Sequence, residues 1–523
     1  MIIDSRTVAP GTTLQADLCI VGAGPAGITI AREFAGHPSR VILLESGGTT
    51  VREETQNLCR GSITGHTYPP LHLCRRRVLG GTSSYWGGWA RPLDDIDFEE
   101  RAWVPYSGWP FTKDHLKAEY VRAQTIWKLA EYGYDREISG SQSGGELLTQ
   151  GQSSFEDVLF QINGTRFGKA YQAELERARN LDLMLHANAV EIEMDRDSRA
   201  ALSVRVATLA GNKFSVSARN FVLAAGGIEN PRLLLASRGS RSSGVGNDND
   251  LVGRFFADHL HLELRTVPLN GRPVPDFYHS RMIGEAALRG GMALTEDARR
   301  RDKLLGFAIT IHNPDDPHDV IYPTYKYSGY SSLQALVKPL MDGEVPDILG
   351  YHVRTILGHP INAFTLSFRR LIKARWRSLM IGCRAEQIPN RDSRVLLDPE
   401  RDALGMNKVR LDWRLTEQDR DSLRRAQQML EKEWSFPSKD PHRTQTGGEH
   451  VTGIAAASHH MGTTRMHRDP KLGVVDETCR VHGIHNLYIA GCSVFPTTGY
   501  APPTLTIVAL ALRLADYLKQ AEH

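Results

Sequence analysis

The stretch that decides the fold is residues 18–34, LCIVGAGPAGITIAREF. It opens with the apolar residues 18–21, which predict a short buried strand, and it closes with a helical pattern over residues 28–34. A second apolar strand is predicted at residues 41–44. A strand, a helix and a second strand in this order predict a parallel sheet, with a glycine-rich turn between the first strand and the helix.

The turn has the spacing Gly-x-Gly-x-x-Gly. Gly22 allows the tight turn, Gly24 lets the backbone approach a pyrophosphate, and Gly27 lets the helix pack closely on the strand. The helix N-terminus adds free N–H groups and a partial positive charge. Glu45 ends the second strand, where an acidic side chain can hold a ribose diol. The predicted dinucleotide contacts in this region are Gly22, Gly24, Pro25, Ala26, Gly27, Glu45 and Ser46.

Length and composition limit the class of protein. A chain of 523 residues predicts two or more domains, and 41% hydrophobic with 24% charged residues is typical of globular proteins. The 63 basic and 60 acidic residues nearly balance, which gives no reason to expect a nucleic-acid partner. The six cysteines have no metal-ligand spacing, so we expect no metal site and a cytoplasmic location with reduced thiols. The sequence has no apolar run of 18 residues, so no membrane-spanning helix is expected.

The strand-and-helix pattern returns twice, at residues 221–237 and 486–518. Long insertions separate these segments, so the dinucleotide domain is expected to be discontinuous. Within the second insertion, residues 394–397 and 408–414 alternate between apolar and polar side chains, which predicts an antiparallel sheet with one wet face. Residues 312–332 are rich in Pro, Asp and Tyr and show no helical or strand periodicity. This pattern predicts either a lid over the substrate or an exposed connector.

Four blocks of sequence resemble the glucose–methanol–choline (GMC) oxidoreductase family. They match its order and spacing and span nearly the whole chain. They are residues 17–34 with 43–48, residues 79–88, residues 218–235, and residues 458–466 with 486–518. The similarity is strongest to bacterial sugar-oxidising members, of the fructose dehydrogenase and pyranose oxidase kind.

The resemblance implies an α/β fold in two parts. One is a Rossmann-like FAD-binding domain, which we place at residues 1–90, 165–260 and 445–523. The other is an inserted substrate-binding domain of antiparallel sheet plus helices, which we place at residues 91–164 and 261–444.

The resemblance also implies how FAD is held. In pyranose oxidases the flavin is tethered to a His in the second block, where this chain has Tyr85, so a non-covalent FAD is expected. Gly80 and Gly81 let backbone N–H groups approach the flavin ring and the pyrophosphate. Val190 matches a residue whose backbone contacts adenine, with an ordinary strand valine as the alternative. The other implied contacts are Thr82, Ser83, Trp86, Ala225, Gly226, Gly491 and Thr504.

His459 matches the His of the family's His-x-Met-Gly motif, which faces flavin N5. Oxidising an alcohol needs a base for the hydroxyl proton while hydride leaves the carbon, and a neutral imidazole suits that proton. Its neighbour His460 is expected to pack structurally. The family's second catalytic residue is Asn or His, but this chain has Pro502 there, which offers neither a side-chain donor nor an N–H. Either the alcohol oxygen is held by one group fewer, or another residue supplies the hydrogen bond, with Tyr500 the nearest candidate.

Two further residues have weaker support as substrate contacts. Arg414 matches an arginine that reaches the substrate in pyranose oxidases, and Gln387 is expected on the same sheet near the cavity. Each has the alternative of a salt-bridged or hydrogen-bonded sheet residue. Asp258 and His259 resemble an element that closes the FAD domain, which indicates a structural role.

These features predict an FAD-dependent alcohol oxidoreductase. Its expected substrate is a sugar, glycoside, aminosugar or cyclitol, with His459 as base and a carbonyl product. The expected electron acceptor is oxygen, a quinone or a redox protein. Two alternatives remain at this point: an NAD(P)H-dependent flavoprotein monooxygenase, and a catalytically idle flavoprotein that serves as a redox sensor.

Overall fold

The computed structural model describes most of the chain. The described residues are 1–134, 154–239, 242–269, 274–313, 349–358, 378–433 and 453–521, with a few helical residues between 332 and 340. The predicted lid or connector at residues 312–332 lies outside these residues except at its ends.

A parallel sheet forms where the sequence predicts it. Strand β2 (Thr13–Val21) pairs in parallel with β3 (Val41–Leu44) on one side and with β10 (Lys213–Leu223) on the other. Helix α1 (Pro25–Glu33) connects β2 to β3 in the chain. The predicted strand–helix–strand unit is therefore confirmed.

This first sheet has eight strands in the described part of the chain. Their spatial order is β1 (Ile2–Asp4), β7 (Leu181–Leu185), β3, β2 and β10, followed by β9 (Ala201–Ala207) and β8 (Asn188–Met194) beside the first half of β10, and by β19 (Leu487–Ile489) beside its second half. Strands β8 and β9 are antiparallel, and the rest of the sheet is parallel. The strands come from three stretches far apart in the chain, so the sheet is discontinuous in sequence.

A second sheet of eight described strands is antiparallel. Its spatial order is β18 (Ala455–Ala456), β11 (Leu260–Pro268), β15 (Ser378–Ala385), β14 (Phe307–His312), β13 (Ala286–Leu294), β6 (Phe155–Ile162) and β5 (Trp89–Ala90), with β12 (Arg281–Ile283) also paired to β13. The predicted fold class, a nucleotide-binding α/β sheet with an added antiparallel sheet and helices, is confirmed. The domain boundaries stay a prediction.

The alternating segments of the second insertion form a separate, smaller sheet. Strands β16 (Arg394–Arg401) and β17 (Asn407–Trp413) are antiparallel, as predicted. The third strand, β4 (Gly61–Gly65), runs parallel to β17. The sheet is therefore mixed, because its third strand comes from the N-terminal part of the chain.

The α-helices cover the sheets and connect their strands. Within the described ranges they are α1, α2 (Glu53–Asn57), α3 (Asp95–Phe98), α4 (Lys117–Trp127), α5 (Phe167–Arg177), α6 (Gly226–Ala236), α7 (Glu296–Asp302), α8 (Leu349–Gly358), α9 (Glu417–Glu433) and α10 (Thr504–Ala521). In this part of the chain, none is both long and apolar enough to cross a membrane.

Two apolar cores hold the sheets in place. Ile30 of α1 and Leu505 of α10 are fully buried in the core around the first sheet, and Ile309 is fully buried in the core of the second. Burying such side chains typically contributes about 1.5–3 kcal/mol each. The segment after β18 returns to the start of β11 through a bridge between Met461 and Ala257. This bridge brings the His459 segment to the end of the second sheet.

Candidate active site

The turn after β2 leaves open space at one glycine only. Gly22 has φ +105°, and a Cβ there would lie 2.7 Å from the carbonyl oxygen of Ala224. A Cβ at Gly27 would lie 1.9 Å from the carbonyl oxygen of Gly22, which explains the close packing of α1 on the turn. A Cβ at Gly24, in contrast, would meet no atom within 4 Å. Gly22 and Gly27 are thus required by the fold, whereas Gly24 faces a space that a ligand can enter.

Glu45 lies at the end of β3 and is 5% exposed. Its carboxylate accepts hydrogen bonds from the backbone N–H of Ala23, at 3.0 Å, and of Gly47, at 2.8 Å. Ser46 Oγ lies 3.4 Å from the same carboxylate. Burial raises the pKa of Glu45, although these hydrogen bonds act in the opposite direction. The acid therefore joins the turn to the neighbouring strand end, and a carboxylate has further lone pairs for a sugar hydroxyl.

Residues 79–86 lie directly against the turn. The N–H of Gly80 donates to the carbonyl of Ala23 at 2.8 Å, and a Cβ at Gly81 would lie 3.2 Å from Cα of Gly24. A short 3-10 helix, Gly81–Tyr85, follows. Within it, Ser83 Oγ donates to the carbonyl of Gly80 at 2.6 Å. These residues form the second wall of the space beside Gly24.

The side chains at the end of this segment differ in exposure. Tyr85 is 53% exposed, with the guanidinium of Arg76 4.9 Å from its ring centroid. Trp86 stacks on Trp127 with ring centroids 4.6 Å apart. Thr82 Oγ1 accepts a hydrogen bond from the Arg76 N–H at 3.3 Å. Tyr85 therefore lies on the protein surface, whereas Trp86 anchors the segment to α4.

Two further glycines line the carboxyl ends of parallel strands. Gly226 (φ +87°) follows β10 and Gly491 (φ +122°) follows β19, and a Cβ at either would meet no atom within 4 Å. The N–H of Ala225 donates to Asn230 Oδ1 at 2.9 Å, which fixes the start of α6. Nucleotides bind at the carboxyl ends of parallel strands in open α/β sheets. The open spaces at Gly24, Gly226 and Gly491 fit that position.

Val190 and Thr504 complete the predicted cofactor contacts. Val190 is half-buried within β8, and Thr504 is the half-buried first residue of α10. The individual roles of all these cofactor contacts stay predictions.

His459 is held by contacts to both its backbone and its side chain. Its N–H donates to Asp258 Oδ1 at 2.9 Å, and the N–H of Ser458 donates to the other oxygen of that carboxylate at 2.9 Å. Ser458 has φ +62°, a left-handed conformation that these two bonds stabilise. Nδ1 of His459 lies 2.8 Å from Nδ1 of His259. The imidazole is therefore fixed in position from two sides.

The hydrogen bond between the two histidines determines their tautomers. Nε2 of His259 lies 3.3 Å from the carbonyl oxygen of Thr498, so this nitrogen carries the hydrogen. Burial, together with the charge of Arg384, lowers the pKa of His259 to about 3, so the ring is neutral and its Nδ1 accepts. His459 must then donate from Nδ1, which leaves a lone pair on its Nε2. That Nε2 makes no hydrogen bond to the described part of the chain.

The low pKa of His459 supports the assignment of a free lone pair to its Nε2. Burial lowers the pKa of His459 well below its ordinary 6.5, and the neighbouring His259 and Arg384 lower it further. The imidazole is therefore neutral near pH 7. A neutral ring with a free Nε2 lone pair has the protonation state that a general base requires.

His460 has different surroundings. Its ring centroid lies 6.1 Å from those of both Tyr68 and Phe256. A Cβ at Gly227 would lie 1.9 Å from its carbonyl oxygen, so the backbone is tightly packed as well. Burial lowers the pKa of His460 to about 3. Its side chain lies among core aromatic rings, as expected of a packing residue.

The C-terminal turn places Tyr500 away from open space. Tyr500 is 1% exposed and packs with Trp89 and Phe160. Its hydroxyl oxygen accepts a hydrogen bond from Arg91 Nε at 3.1 Å, and burial raises the pKa of the phenol well above 10.0. Pro502 is buried two residues before α10. Whether Tyr500 replaces the hydrogen bond missing at Pro502 stays a prediction.

Gln387 and Arg414 both have protein partners. Gln387 is fully buried, and its amide oxygen accepts from Trp413 Nε1 at 2.9 Å and from the Asp258 N–H at 3.0 Å. Its amide nitrogen donates to the carbonyl of Arg414 at 2.9 Å. The Arg414 side chain is 55% exposed and pairs with Asp412 at 2.7 Å. In this conformation Gln387 is hydrogen-bonded and Arg414 is ion-paired within the protein, which are the structural roles expected from the sequence as alternatives to substrate contact. Contact of either side chain with the substrate stays a prediction.

Sequence reasoning missed the polar side chains of the second sheet. His261 on β11 and Arg384 on β15 are paired residues, and Arg384 Nε donates to His261 Nε2 at 3.0 Å. The ring centroid of His261 lies 6.4 Å from that of His459. His259 directly precedes β11 and His261 lies within it, and their spacing of two residues, typical of one face of a strand, is the signal available in the sequence. In the described residues, His, Cys, Asp and Glu side chains form no metal-binding group of three or more.

Comparison with known proteins identifies the family. Two sequence models described as GMC oxidoreductase match residues 115–261 and 389–511, together more than half of the chain. The 2-methyl-1,2-propanediol dehydrogenase of Mycolicibacterium austroafricanum is 22% identical over 97% of this chain and 95% of its own length. The paromamine 6'-oxidase of Streptomyces fradiae is 27% identical over 95% of this chain and 90% of its own length. The fructose dehydrogenase large subunit of Gluconobacter japonicus is 27% identical over 65% of this chain and 54% of its own.

Solved structures show the same fold. The pyridoxine 4-oxidase of Mesorbium loti has a TM-score of 0.55 at 17% identity and covers 97% of this chain and 99% of its own. A formate oxidase has a TM-score of 0.55 at 17% identity and covers 99% of both chains. The open glycine positions at the strand ends, the buried acid after β3 and the match to both family models agree with one another. The chain belongs to the GMC oxidoreductase family and is an FAD-binding oxidoreductase.

Proposed function

We propose that this protein oxidises a hydroxyl group of a small polyhydroxylated molecule to a carbonyl, with His459 as the base. The observation that carries the proposal is the pair of histidines with Nδ1 atoms 2.8 Å apart, which leaves Nε2 of His459 with a free lone pair. Relatives at 22–27% identity include a diol dehydrogenase, a fructose dehydrogenase and a paromamine oxidase, so the substrate class is a polyol, sugar, glycoside, aminosugar or cyclitol.

This geometry gives FAD, His459 and His259 separate roles in the reaction. FAD, when bound, supplies the acceptor for the hydride that leaves the alcohol carbon. Nε2 of His459 takes the hydroxyl proton, and general-base assistance of this kind is typically worth about 10²–10⁴-fold in rate. His259 holds the ring and its tautomer, because its own Nε2–H is directed at the carbonyl of Thr498, 3.3 Å away. Pro502 offers no donor, so either the alcohol oxygen is held by one group fewer than in the family pattern, or another residue, with Tyr500 the nearest candidate, supplies the hydrogen bond.

FAD would be held without a covalent bond. Gly24 and the segment beginning at Gly80 would contact the pyrophosphate of FAD. Glu45 would bind the hydroxyl groups of its ribose. Tyr85, at the position of the tethering His in pyranose oxidases, is exposed and stacks with Arg76. The final electron acceptor would be oxygen, a quinone or a redox protein.

Anaerobic mixing with candidate alcohols tests the proposed function. We expect the flavin absorbance to bleach with at least one polyol, sugar, aminosugar or cyclitol in a screen, without NADPH. Bleaching by NADPH alone would instead indicate a monooxygenase. The absence of bleaching with every alcohol and with NADPH, in protein that dithionite reduces, would indicate an idle flavin-binding protein. Either of these two results rejects the proposal.

Gly24→Ala should separate cofactor binding from folding. Residue 24 has an ordinary negative φ of −80°, and the added methyl meets no protein atom within 4 Å. We therefore expect unchanged far-UV circular dichroism but a strong loss of FAD affinity, measured by equilibrium dialysis. Gly27→Ala is the matched control, because its methyl would lie 1.9 Å from the carbonyl oxygen of Gly22 and should disturb the fold itself. FAD binding at full affinity in Gly24→Ala would contradict the placement of the pyrophosphate.

The rate of flavin reduction should depend little on pH between 6 and 8. Burial and the neighbouring cationic group hold the pKa of His459 well below 6.5, so the base stays unprotonated as the pH falls through 6.5. An ordinary imidazole would be about three-quarters protonated at pH 6, which would lower the rate about fourfold relative to pH 8. Stopped-flow reduction at saturating alcohol measures the difference. A fourfold fall at pH 6 would show that His459 titrates normally.

A further inference from the structure

Arg384 is a buried cation beside the proposed base. It lies on β15, where it pairs with His261 of β11 on one side and with Ala308 of β14 on the other. The residue is 8% exposed. Its Nε donates to Nε2 of His261 at 3.0 Å, so this part of the guanidinium has a neutral partner. Its two terminal nitrogens donate no hydrogen bond within the described part of the chain.

Three other buried arginines have carboxylate partners. Arg101 pairs with Glu386 at 2.5 Å, Arg299 with Asp97 at 2.6 Å, and Arg232 with Asp402 at 2.6 Å. Arg465 has none among the described residues, but its guanidinium lies 4.6 Å from the ring centroid of Phe255. Arg384 has neither a described carboxylate within ion-pair distance nor a described aromatic ring beneath it.

Two described carboxylates close to this cluster in the chain, those of Asp258 and Glu386, are already engaged. Asp258 accepts hydrogen bonds from the Tyr68 hydroxyl at 2.5 Å and from the backbone of the His459 segment. Glu386 accepts from Arg101, Arg299 and the N–H of Gly306. Neither acid neutralises Arg384. A buried charge without a counter-charge is strongly unfavourable, and no carboxylate of the described residues pairs with Arg384, so an anionic group of a bound molecule would stabilise it.

The guanidinium is also close to the reacting position. It binds His261, whose ring centroid lies 6.4 Å from that of His459. Its charge contributes to the low pKa values of His259, His261 and His459. Arg384 and His459 therefore belong to one side-chain cluster, which His261 connects.

We propose that Arg384 binds an anionic group, a carboxylate or a phosphate, carried by the molecule that His459 deprotonates. The inference rests on the proposed function and narrows its substrate class to acidic hydroxy compounds such as sugar acids or sugar phosphates. A guanidinium matches carboxylate and phosphate oxygens in both charge and geometry. The same charge opposes an ammonium group, so aminosugars and other cationic alcohols are disfavoured.

Three isosteric ligands test the charge preference on the FAD-loaded protein. Acetate, acetamide and acetamidinium have nearly the same shape but carry charges of −1, 0 and +1. We expect acetate to perturb the flavin absorbance spectrum with an affinity about 10- to 100-fold higher than acetamide, as a charge-assisted hydrogen bond allows, and acetamidinium to bind weakest. A parallel titration with inorganic phosphate distinguishes a carboxylate site from a phosphate site. Equal affinity for acetate and acetamidinium would overturn the proposal without any mutation.

Arg384→Gln then assigns the preference to this side chain. We expect acetate affinity to fall to that of acetamide, while Arg384→Lys retains part of the difference. Arg219→Gln is the control, since Arg219 is 77% exposed in the first sheet and should leave acetate binding unchanged. Unchanged acetate affinity in Arg384→Gln would remove the assignment.

Reduction by matched sugars separates this inference from the proposed function. Glucuronate, glucose and glucosamine share one ring and differ in charge. Faster anaerobic flavin reduction by glucuronate than by glucose supports both proposals. Reduction by glucose or glucosamine with no advantage for glucuronate rejects the anion site and leaves alcohol oxidation standing. Acetate binding that depends on Arg384, with no flavin reduction by any alcohol in the screen, rejects alcohol oxidation and leaves the anion site standing.

Discussion

His459→Ala should lower the rate of anaerobic flavin reduction by an alcohol about 10²–10⁴-fold, the usual contribution of a general base. The variant loses the imidazole whose Nδ1 lies 2.8 Å from that of His259 and whose Nε2 is free. The backbone contacts of residue 459 to Asp258 do not depend on the side chain, so the local fold should persist. FAD content, measured by the ratio of visible to ultraviolet absorbance, should therefore stay unchanged.

Two comparisons make this result specific. His482→Ala removes another half-buried histidine, one whose Nε2 contacts the carbonyl oxygen of His467 at 2.8 Å. We expect the alcohol to reduce the flavin of this variant at the normal rate. Added imidazole should restore part of the rate in His459→Ala, because a free base can enter the vacated space. Turnover of His459→Ala at the normal rate with bound FAD would show that another group takes the proton.

The sequence predicted His459 because its signal is local. A His-x-Met-Gly segment near the C-terminus can be read from a few adjacent residues. Its partner His259 lies 200 positions earlier in the chain and was predicted, together with Asp258, to be structural. Asp258 does have a structural role, because it accepts hydrogen bonds from the backbone N–H groups of Ser458 and His459. His259, in contrast, contacts the side chain of the proposed base directly. A pair formed by two distant segments has no local pattern, so only the structure shows it.

The same distinction applies to the fold. The first strand–helix–strand unit was predictable because its periodicity and its glycine turn lie within residues 18–44. The pairing of β4 with β17 was not, because it joins residues 61–65 to residues 409–413. Strand order depends on packing between distant segments, and a short strand such as β4 contains little information about its partner.

The buried charges of the second sheet are a further consequence of distant contacts. Glu386, Arg101, Arg299 and Asp97 have fully buried side chains and form one ion-paired network. Burial alone would raise the pKa of Glu386, but the two arginines hold it below its usual range. Single-residue statistics predict such side chains to be exposed. Their burial makes the network sensitive to the loss of any one member.

Glu386→Ala should therefore lower the free energy of unfolding by about 3–5 kcal/mol, the usual cost of removing one partner from a buried ion pair. Arg101 would lose its carboxylate partner at 2.5 Å, and the N–H of Gly306 would lose its acceptor at 2.8 Å. Arg299 keeps Asp97 and is affected less. The urea concentration at the midpoint of unfolding, followed by circular dichroism, measures the loss.

Glu99→Ala is the matched control for that prediction. Glu99 pairs with Arg300 at 2.6 Å, a distance close to that of the buried pair, but its side chain is 43% exposed. An exposed pair is typically worth less than about 1 kcal/mol because water screens the attraction and solvates either charge left alone. Both variants remove a glutamate carboxylate that pairs with an arginine at a similar distance, but only Glu386 is fully buried and has further partners, Gly306 and Arg299. Equal small losses in both would show that water reaches Arg101, whereas a large loss in Glu386→Ala alone would show that the network stabilises the sheet end that carries Arg384.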